Sequence, residues 1–410
     1  MPSAAAASAT ARIAWPRRWV ARIGIDTRLL GMVAMLILIW IAFDVATQGV
    51  FLSPRNLFNL ALQVSVVGIM ASAMTLVIVA RHIDLSVGSL LGFIGMFGAL
   101  AQTVWLPAGA WYNWIAACVA MLALGALIGA LQGYWVAYRG VPAFVVTLAG
   151  LLIFRNAAWL LSEGRTIAPL DETFQLIGGG IEGTIGAFWS WVVGAVASLA
   201  IVWYGLRTRR RRQRYGFPVK PLALEWLLMA LAVGLVAAFV QTMNAYQRPR
   251  TEIASGIPIP FLILIVVTLA MAILAKATKF GRYVYAIGGR PESAVLAGID
   301  VKRITLYIFM IMGGLSALAA IVITARLNAA ASVTGTMTEL NVIAAAVIGG
   351  VSLTGGVGTV FGAVLGAVFM QSLESGMVLL GVPTPVQRIV IGVVLVLAVW
   401  VDVVVQRRRR

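Results

Sequence analysis

The sequence predicts an all-α, polytopic membrane protein. Three observations carry that prediction: the composition, the spacing of long apolar runs, and the segregation of basic residues to one side of them. Of 410 residues, 61% are apolar and 11% charged, and the mean hydropathy is +0.98. So little polar surface cannot cover a soluble globule of this size. Counting full and half spans together gives about 10–12 transmembrane or half-membrane helices, at ~20 apolar residues per crossing.

Taken in order, residues 1–28 form an Ala-rich and then basic tail, and 29–406 form a single transmembrane domain. The first apolar run, 29–50, is too long for a signal-peptide core and lacks a cleavage site, so it reads as a retained helix. Full spans follow at 57–80, 85–105, 114–136, 143–162, 186–206, 222–242, 259–279 and 304–325. The last three segments are harder: 339–353 is short, 357–380 is glycine-rich, and 388–405 is a plain apolar span. Basic residues 407–410 close the chain.

Charge fixes the expected orientation. Seven of the 31 lysines and arginines (Arg55, Arg155, Arg165, Arg248, Arg250, Arg326 and Arg388) fall within spans or on one side. Alternate threading sends all the others to the opposite side, including the basic loop 207–221, the polar stretch 276–303 and both tails. By the positive-inside rule that side is cytoplasmic, with both termini in the cytosol. The net charge of +17 is thereby a topological signal, and it gives no support to a nucleic-acid partner. The run Arg209 to Arg212 is expected to anchor a helix end against anionic lipid of the bilayer. On the outside, 163–185 is the longest loop, with Glu163, Asp171, Glu172 and Glu182; it reads as a mobile cap, a docking surface or a solvated loop.

The stretch 276–303 has its own internal signals. Gly288 and Gly289 break the chain, Pro291 suits a first helical position, Glu292 favours the positive end of a helix, and Gly298 suits a left-handed stop. The result is a helix of barely two turns, which is marginal in water unless its apolar face, Ala294, Val295 and Leu296, docks on something. The competing reading is a solvated connection.

Two glycine breaks resemble each other. Val-Gly-[Ser/Thr]-x-x-Gly occurs at 87–92 and at 357–362, either as a weak internal repeat or as a coincidence in a glycine-rich chain. Irregular backbone at membrane depth is tolerated only against protein or a water-lined path. Glycines four apart (Gly88 and Gly92; Gly125, Gly129 and Gly133; Gly358, Gly362 and Gly366) let helices approach closely. Among embedded polar residues, Asp44, Asp84, Arg155, Asn156, Asn341, Gln371 and Glu374 must face protein or water. Arg155 demands a partner that one sequence does not name, and Asp84 with Ser86 also reads as a cap for the following helix. The one cysteine, Cys118, reads as a packing residue, and the one histidine, His82, argues against a His-rich metal site. No GxxxxGK[ST], HExxH, CxxC or Ser/His/Asp arrangement occurs. A transporter of this composition runs on an ion gradient or borrows an ATPase.

The segment GRYVYAIGGRPESAVLAGIDVKRI resembles the cytoplasmic signature of sugar-importing ABC permeases of the ribose, galactose and xylose group. The match runs through Gly281, Arg282, Ala286, Gly288, Gly289, Ala294, Gly298, Ile299 and Val301. HIDLSVGSLLGF at 82–93, VPAFVVTLAGLLIFRN at 141–156 and AAAVIGGVSLTGGVGTVFGAVLGA at 344–367 agree in the same order. RNLFNLALQVSVVGIMA at 55–71, GIPIP at 256–260 and VPTPVQRIVIGVVLVLAVWVD at 382–402 resemble the xylose branch most. Arg81 and Arg290 depart from the usual glycine and asparagine.

The resemblance implies a bacterial inner-membrane subunit working as a pair of copies. A cytosolic ATPase that holds ATP and Mg would sit beneath it, and a periplasmic sugar-binding protein would deliver the sugar; no cofactor or metal is expected in this chain, which is not itself an enzyme. Arg290, Pro291, Glu292, Ser293, Ala294, Val295, Leu296, Ala297, Gly298 and Ile299 would then form the coupling helix. Candidate pathway residues are Asp84, Ser86, Gly88, Asn156, Gly349, Gly350, Gly355, Gly356 and Gln371. Candidate contacts for the binding protein are Arg165, Arg248, Arg250 and Arg326 with the acidic loop 163–185. The competing readings are a permease for ribose, galactose or another metabolite, and an ion-driven carrier using Asp44, Asp84 or Glu374. An intramembrane hydrolase lacks a nucleophile and base.

Overall fold

The computed structural model describes residues 27–107, 109–180, 182–217, 219–248 and 253–407. The tail up to residue 26, Arg250 and the last three arginines lie outside the described residues. The chain forms helices α1 (Thr27–Ala46), α2 (Pro54–Val79), α3 (Val87–Leu100), α4 (Asn113–Ala137), α5 (Ala143–Ser162), α6 (Glu172–Ile177), α7 (Gly186–Arg214), α8 (Leu222–Ala245), α9 (Ile259–Ala277), α10 (Lys279–Gly289), α11 (Pro291–Leu296), α12 (Val301–Leu327), α13 (Thr338–Ile348), α14 (Val360–Leu379) and α15 (Thr384–Arg407). A five-residue π turn, Ala101–Trp105, prolongs α3. The described helices include nine that are long and apolar enough to cross a membrane.

The core is built around α2. Its span is 94% buried, against 11% for each of α7 and α8, so α2 is the central post and the α7–α8 hairpin is peripheral. Small residues decide which helices close onto which. A Cβ at Gly125 or Gly129 would overlap the carbonyl of Gly313 or of Phe309, so α4 and α12 meet backbone to backbone. On α14, Gly362 and Gly366 press in the same way on Gly349 and Ala345 at the end of α13.

The tail resolves into one half-helix, one full span and a last apolar helix, α15. Helix α13 has 11 residues, about 16 Å at 1.5 Å per residue, and ends at the glycine-rich connection 349–359. Helix α14 has 20 residues, enough to cross. The segment 328–337 folds back along α3: the carbonyl oxygens of Gly335 and Thr334 lie where Cβ atoms of Gly88 and Gly92 would be. Gly92 therefore admits irregular backbone, and Gly88 admits both that backbone and the first turn of α13 at Glu339.

Two sequence expectations change. The basic loop 207–221 is helical through Arg214, because arginine is a good helix former and cations favour a helix C-terminus. The loop 163–185 is pinned over residues 167–174. Asp171 caps α6, its Oδ1 accepting from Phe174 N at 3.0 Å, and the Phe174 ring is fully buried. Ile167 and Ala330 exchange backbone hydrogen bonds at 2.9 and 3.0 Å, and Leu170 N donates to Asn328 Oδ1 at 2.8 Å. An aromatic anchor and these pairings fasten the segment to the end of α12.

Candidate functional site

The region of interest is the corner where α10 and α11 meet the end of α2 and the second glycine break. Helix α10 begins where Thr278 caps it, Oγ1 accepting from Gly281 N at 3.2 Å. Its buried residues, Gly281, Val284, Ile287 and Gly288, recur at helical spacing and give it one inner face. A Cβ at Gly281 would overlap the carbonyls of Leu274 and Ala275, and one at Gly288 would overlap the carbonyl of Val79. Both glycines of the signature are thus needed for close approach, the first for the turn out of α9 and the second for contact with the end of α2.

Two side chains lash α10 to the α2–α3 connection and to the second break. Arg81, just past α2, donates from Nε to Gly288 O at 2.7 Å and from Nη2 to Gly289 O at 2.9 Å. These are last-turn carbonyls with no partner inside the helix, so a guanidinium is well suited to them. Arg81 has φ +67°, in the left-handed region, which explains physically why glycine would also fit there. On the other side, Tyr285 donates its hydroxyl to Gly358 O at 2.8 Å, in the connection that leads into α14. Burial raises the Tyr285 pKa above the ordinary phenol value, which keeps the proton on the donor. Gly356 N donates to Val79 O at 2.9 Å, joining the second break to the end of α2. Gly355 and Gly356 have φ of +85° and +74°, values that a side chain would strain.

Helix α11 projects from this corner. Arg290 is extended at φ −145° and ψ 93°, Pro291 opens the helix, and Gly298 at φ +78° ends it, with Ile299 N donating to Ala294 O at 3.1 Å. Asp300 then caps α12 through Arg303 N at 3.1 Å. The three apolar residues expected on one docking face divide. Ala294 is 3% exposed and packs into the chain's own core, while Val295 is 60% and Leu296 89% exposed. A helix of six residues has room for one inward position per turn, and Ala294 takes it.

Of the expected pathway residues, the structure brings Asp84, Ser86 and Gly88 together at the start of α3. Asp84 Oδ1 accepts from Ser86 N at 2.8 Å and from Ser86 Oγ at 2.7 Å, while Gln132 Nε2 on α4 donates to Ser86 Oγ at 2.9 Å. Asp84 thus forms a tight turn with Ser86 just before α3, which receives no side-chain cap from either residue, and Gln132 is a partner that spacing alone did not reveal. Gly349 packs on α14, and Gly355 and Gly356 sit against Arg81 and α10; Gly350, at φ +84°, has open space beside it. Gln371 lies elsewhere, where it and Asn341 both donate to Glu374 Oε2, at 3.1 and 3.3 Å. Asn156 stands apart on an exposed face of α5 and bonds its own helix at Leu152 O. Its neighbour Arg155 donates to Thr336 Oγ1.

The expected outer contacts are equally dispersed. Arg165 pairs with Glu163 at 3.2 Å on the surface, Arg248 lies 3.5 Å from Thr184 Oγ1, and Arg326 is half-buried with its backbone against Gly178. Among the described residues no group of three or more His, Cys, Asp or Glu gathers to hold a metal.

Neither Arg81 as a partner of α10 nor Tyr285 as a link from α10 to Gly358 was singled out from sequence. The available signal was the inner-face spacing of 281, 284, 287 and 288, which marks a second amphipathic helix before the short one.

Comparison with known proteins bears on this arrangement. Residues 56–399 match the family described as branched-chain amino acid transport system, permease component. The xylose transport system permease protein XylH of Haemophilus influenzae is 42% identical over 90% of this chain and 95% of its own. The protein of the same name from Escherichia coli K12 is 40% identical over 92% of each chain. The ribose import permease protein RbsC of Escherichia coli K12 is 34% identical over 90% of this chain and 92% of its own. No solved structure matches the chain. With its apolar spans and the matched length, the chain belongs to this family of permease components and is a non-catalytic, multi-pass membrane transport subunit.

Proposed function

We propose that this chain is the membrane-spanning subunit of an ATP-driven importer of the bacterial inner membrane, with xylose as its sugar. Two copies would form the pathway, a periplasmic binding protein would deliver the sugar, and a separate cytosolic ATPase would hold ATP and Mg. Residues 290–299 are the coupling element in this reading, with the loop 276–303 and both termini on the cytosolic side.

The observation that carries the proposal is Leu296. A leucine 89% exposed at the tip of a two-turn helix is a knob for a groove on another protein. The helix behind it is fixed in two places, through Arg81 to the start of the α2–α3 connection and through Tyr285 to the connection before α14. A displacement of α11 by the ATPase would therefore reach the α2–α3 connection and the second break at once. Xylose is favoured by the similarity to xylose permeases, and ribose is the second reading because the ribose permease is also similar.

An ion-driven carrier is less well supported. Asp44 Oδ1 accepts from Leu52 N at 3.0 Å, Asp84 is held by Ser86, and Glu374 accepts from two amides, so each already serves its local structure. Uptake of labelled xylose, ribose and galactose by a strain lacking the gene tests the proposal. Loss of xylose uptake alone is expected. Unchanged xylose uptake rules out the sugar, and vesicle uptake that survives ATP depletion but collapses with an uncoupler rules out the energy source.

A further inference from the structure

The end of α7 presents a second feature that the coupling role does not use. Helix α7 runs 29 residues, past the length of an ordinary span, and its last two turns are almost entirely arginine. The expectation from sequence was that Arg209 to Arg212 act alike; the structure divides them. Arg209 turns into the hairpin, where Nη1 donates to Glu225 Oε2 and, at 3.2 Å, to Lys220 O. Arg207, Arg210, Arg211, Arg212 and Arg214 instead line, with Tyr204, an open recess of about 1240 Å³. Among the described residues none of these five has a carboxylate within ion-pair distance.

The surroundings say what neutralises them. The guanidinium of Arg207 lies 4.9 Å from the centre of the Trp203 ring, and Trp203 and Tyr204 are the exposed aromatic residues that end the apolar part of α7. Such residues sit at the headgroup level of a bilayer. Phe217, 63% exposed at the far lip, offers a further apolar contact. Both helices of the hairpin are outermost, so the recess opens onto the bilayer edge, and the hairpin packs on α2 through α8 rather than on the α10–α11 corner. We propose that this recess binds the phosphate headgroup of an anionic phospholipid, the guanidinium groups engaging the phosphate oxygens in paired hydrogen bonds and Tyr204 lying at the glycerol and upper acyl level. Arginine is matched to phosphate by its planar fork and weak hydration, and basic recesses at cytoplasmic helix ends recognise such headgroups.

The test uses the full-length chain reconstituted in bilayers of equal phosphatidylglycerol and phosphatidylcholine, extracted in mild detergent, with retained lipid counted by native mass spectrometry. Retention of phosphatidylglycerol over phosphatidylcholine by at least about tenfold is expected, falling as salt rises. Replacing Arg207, Arg210, Arg211 and Arg214 by Gln should abolish the preference, and replacing the same four by Lys should keep most of it. Equal retention of the two lipids by the unaltered chain overturns the proposal even if the Gln variant fails to fold. Retention in the Gln variant that matches the unaltered chain also overturns it. Displacement of the lipid by millimolar inorganic phosphate would show a site for free phosphate instead. Loss of ATPase co-purification with lipid preference intact would show a protein contact instead.

Discussion

Arg81 and Gly288 are 207 residues apart in sequence and 2.7 Å apart in space, joined by a hydrogen bond from the arginine Nε to the glycine carbonyl oxygen. With the second bond, to Gly289 O, this closes the end of α10 with a charged donor. Replacement of Arg81 by Ala should cost about 1–2 kcal/mol, since part of the group is solvent-exposed. Thermal unfolding in detergent measures that loss. If the clamp transmits motion, uptake should fall further than stability while the ATPase still co-purifies. Arg81→Gly relieves the left-handed backbone but restores neither bond, so it should leave uptake low.

Tyr285 tests the other lashing. Tyr285→Phe removes one hydrogen bond to Gly358 O and leaves the ring packing, at a cost of about 1 kcal/mol. Coupled ATPase activity and sugar uptake measured together should show hydrolysis retained and uptake reduced. Equal retention of both would show that the bond only supports the fold.

The two apolar positions of α11 should behave differently. Leu296→Glu places a charge on a residue that is already exposed, so the chain should insert and fold normally yet lose ATPase co-purification. Ala294→Glu drives a carboxylate into the chain's own core and should reduce the amount of folded protein first. Size-exclusion profiles and pull-down of the ATPase separate the two results. Normal transport by the Leu296 variant would sink the coupling assignment.

Helix crossing makes its own prediction. A Cβ at Gly129 would overlap the Phe309 carbonyl, so Gly129→Ala should destabilise the protein by about 1–3 kcal/mol through overpacking. The equivalent change at Gly314, which has nothing within 4 Å, should be nearly neutral. The difference in unfolding temperature between the two variants is the measurement.

At the start of α3, Asp84→Ala leaves the Ser86 N–H and hydroxyl without their acceptor in a buried place and should cost about 1–3 kcal/mol. Asp84→Asn keeps an oxygen for them and should be milder. Expression level and unfolding temperature check both. A large uptake defect in a stable Asp84→Asn variant would point to a role in the pathway.

Much of the fold is legible from the chain itself, because hydrophobic length and charge asymmetry act locally. The spans, the Pro291 start, the Gly298 stop and the glycine breaks follow from residue chemistry within one or two turns. The signature glycines at 281 and 288 are visible as a pattern, and their spacing with Val284 and Ile287 already describes a helix face. What that face meets is not local. Tertiary structure alone decided that Ala294 turns inward while Leu296 projects, that Arg209 pairs with Glu225 while its neighbours stay open, and that Asn156 stands away from Gln371. It also decided that Arg81 and Tyr285 tie α10 to the α2–α3 connection and to the second break. Each of these depends on which distant backbone carbonyl or carboxylate is brought within hydrogen-bond reach, and a linear sequence carries that information only through the packing of the whole bundle.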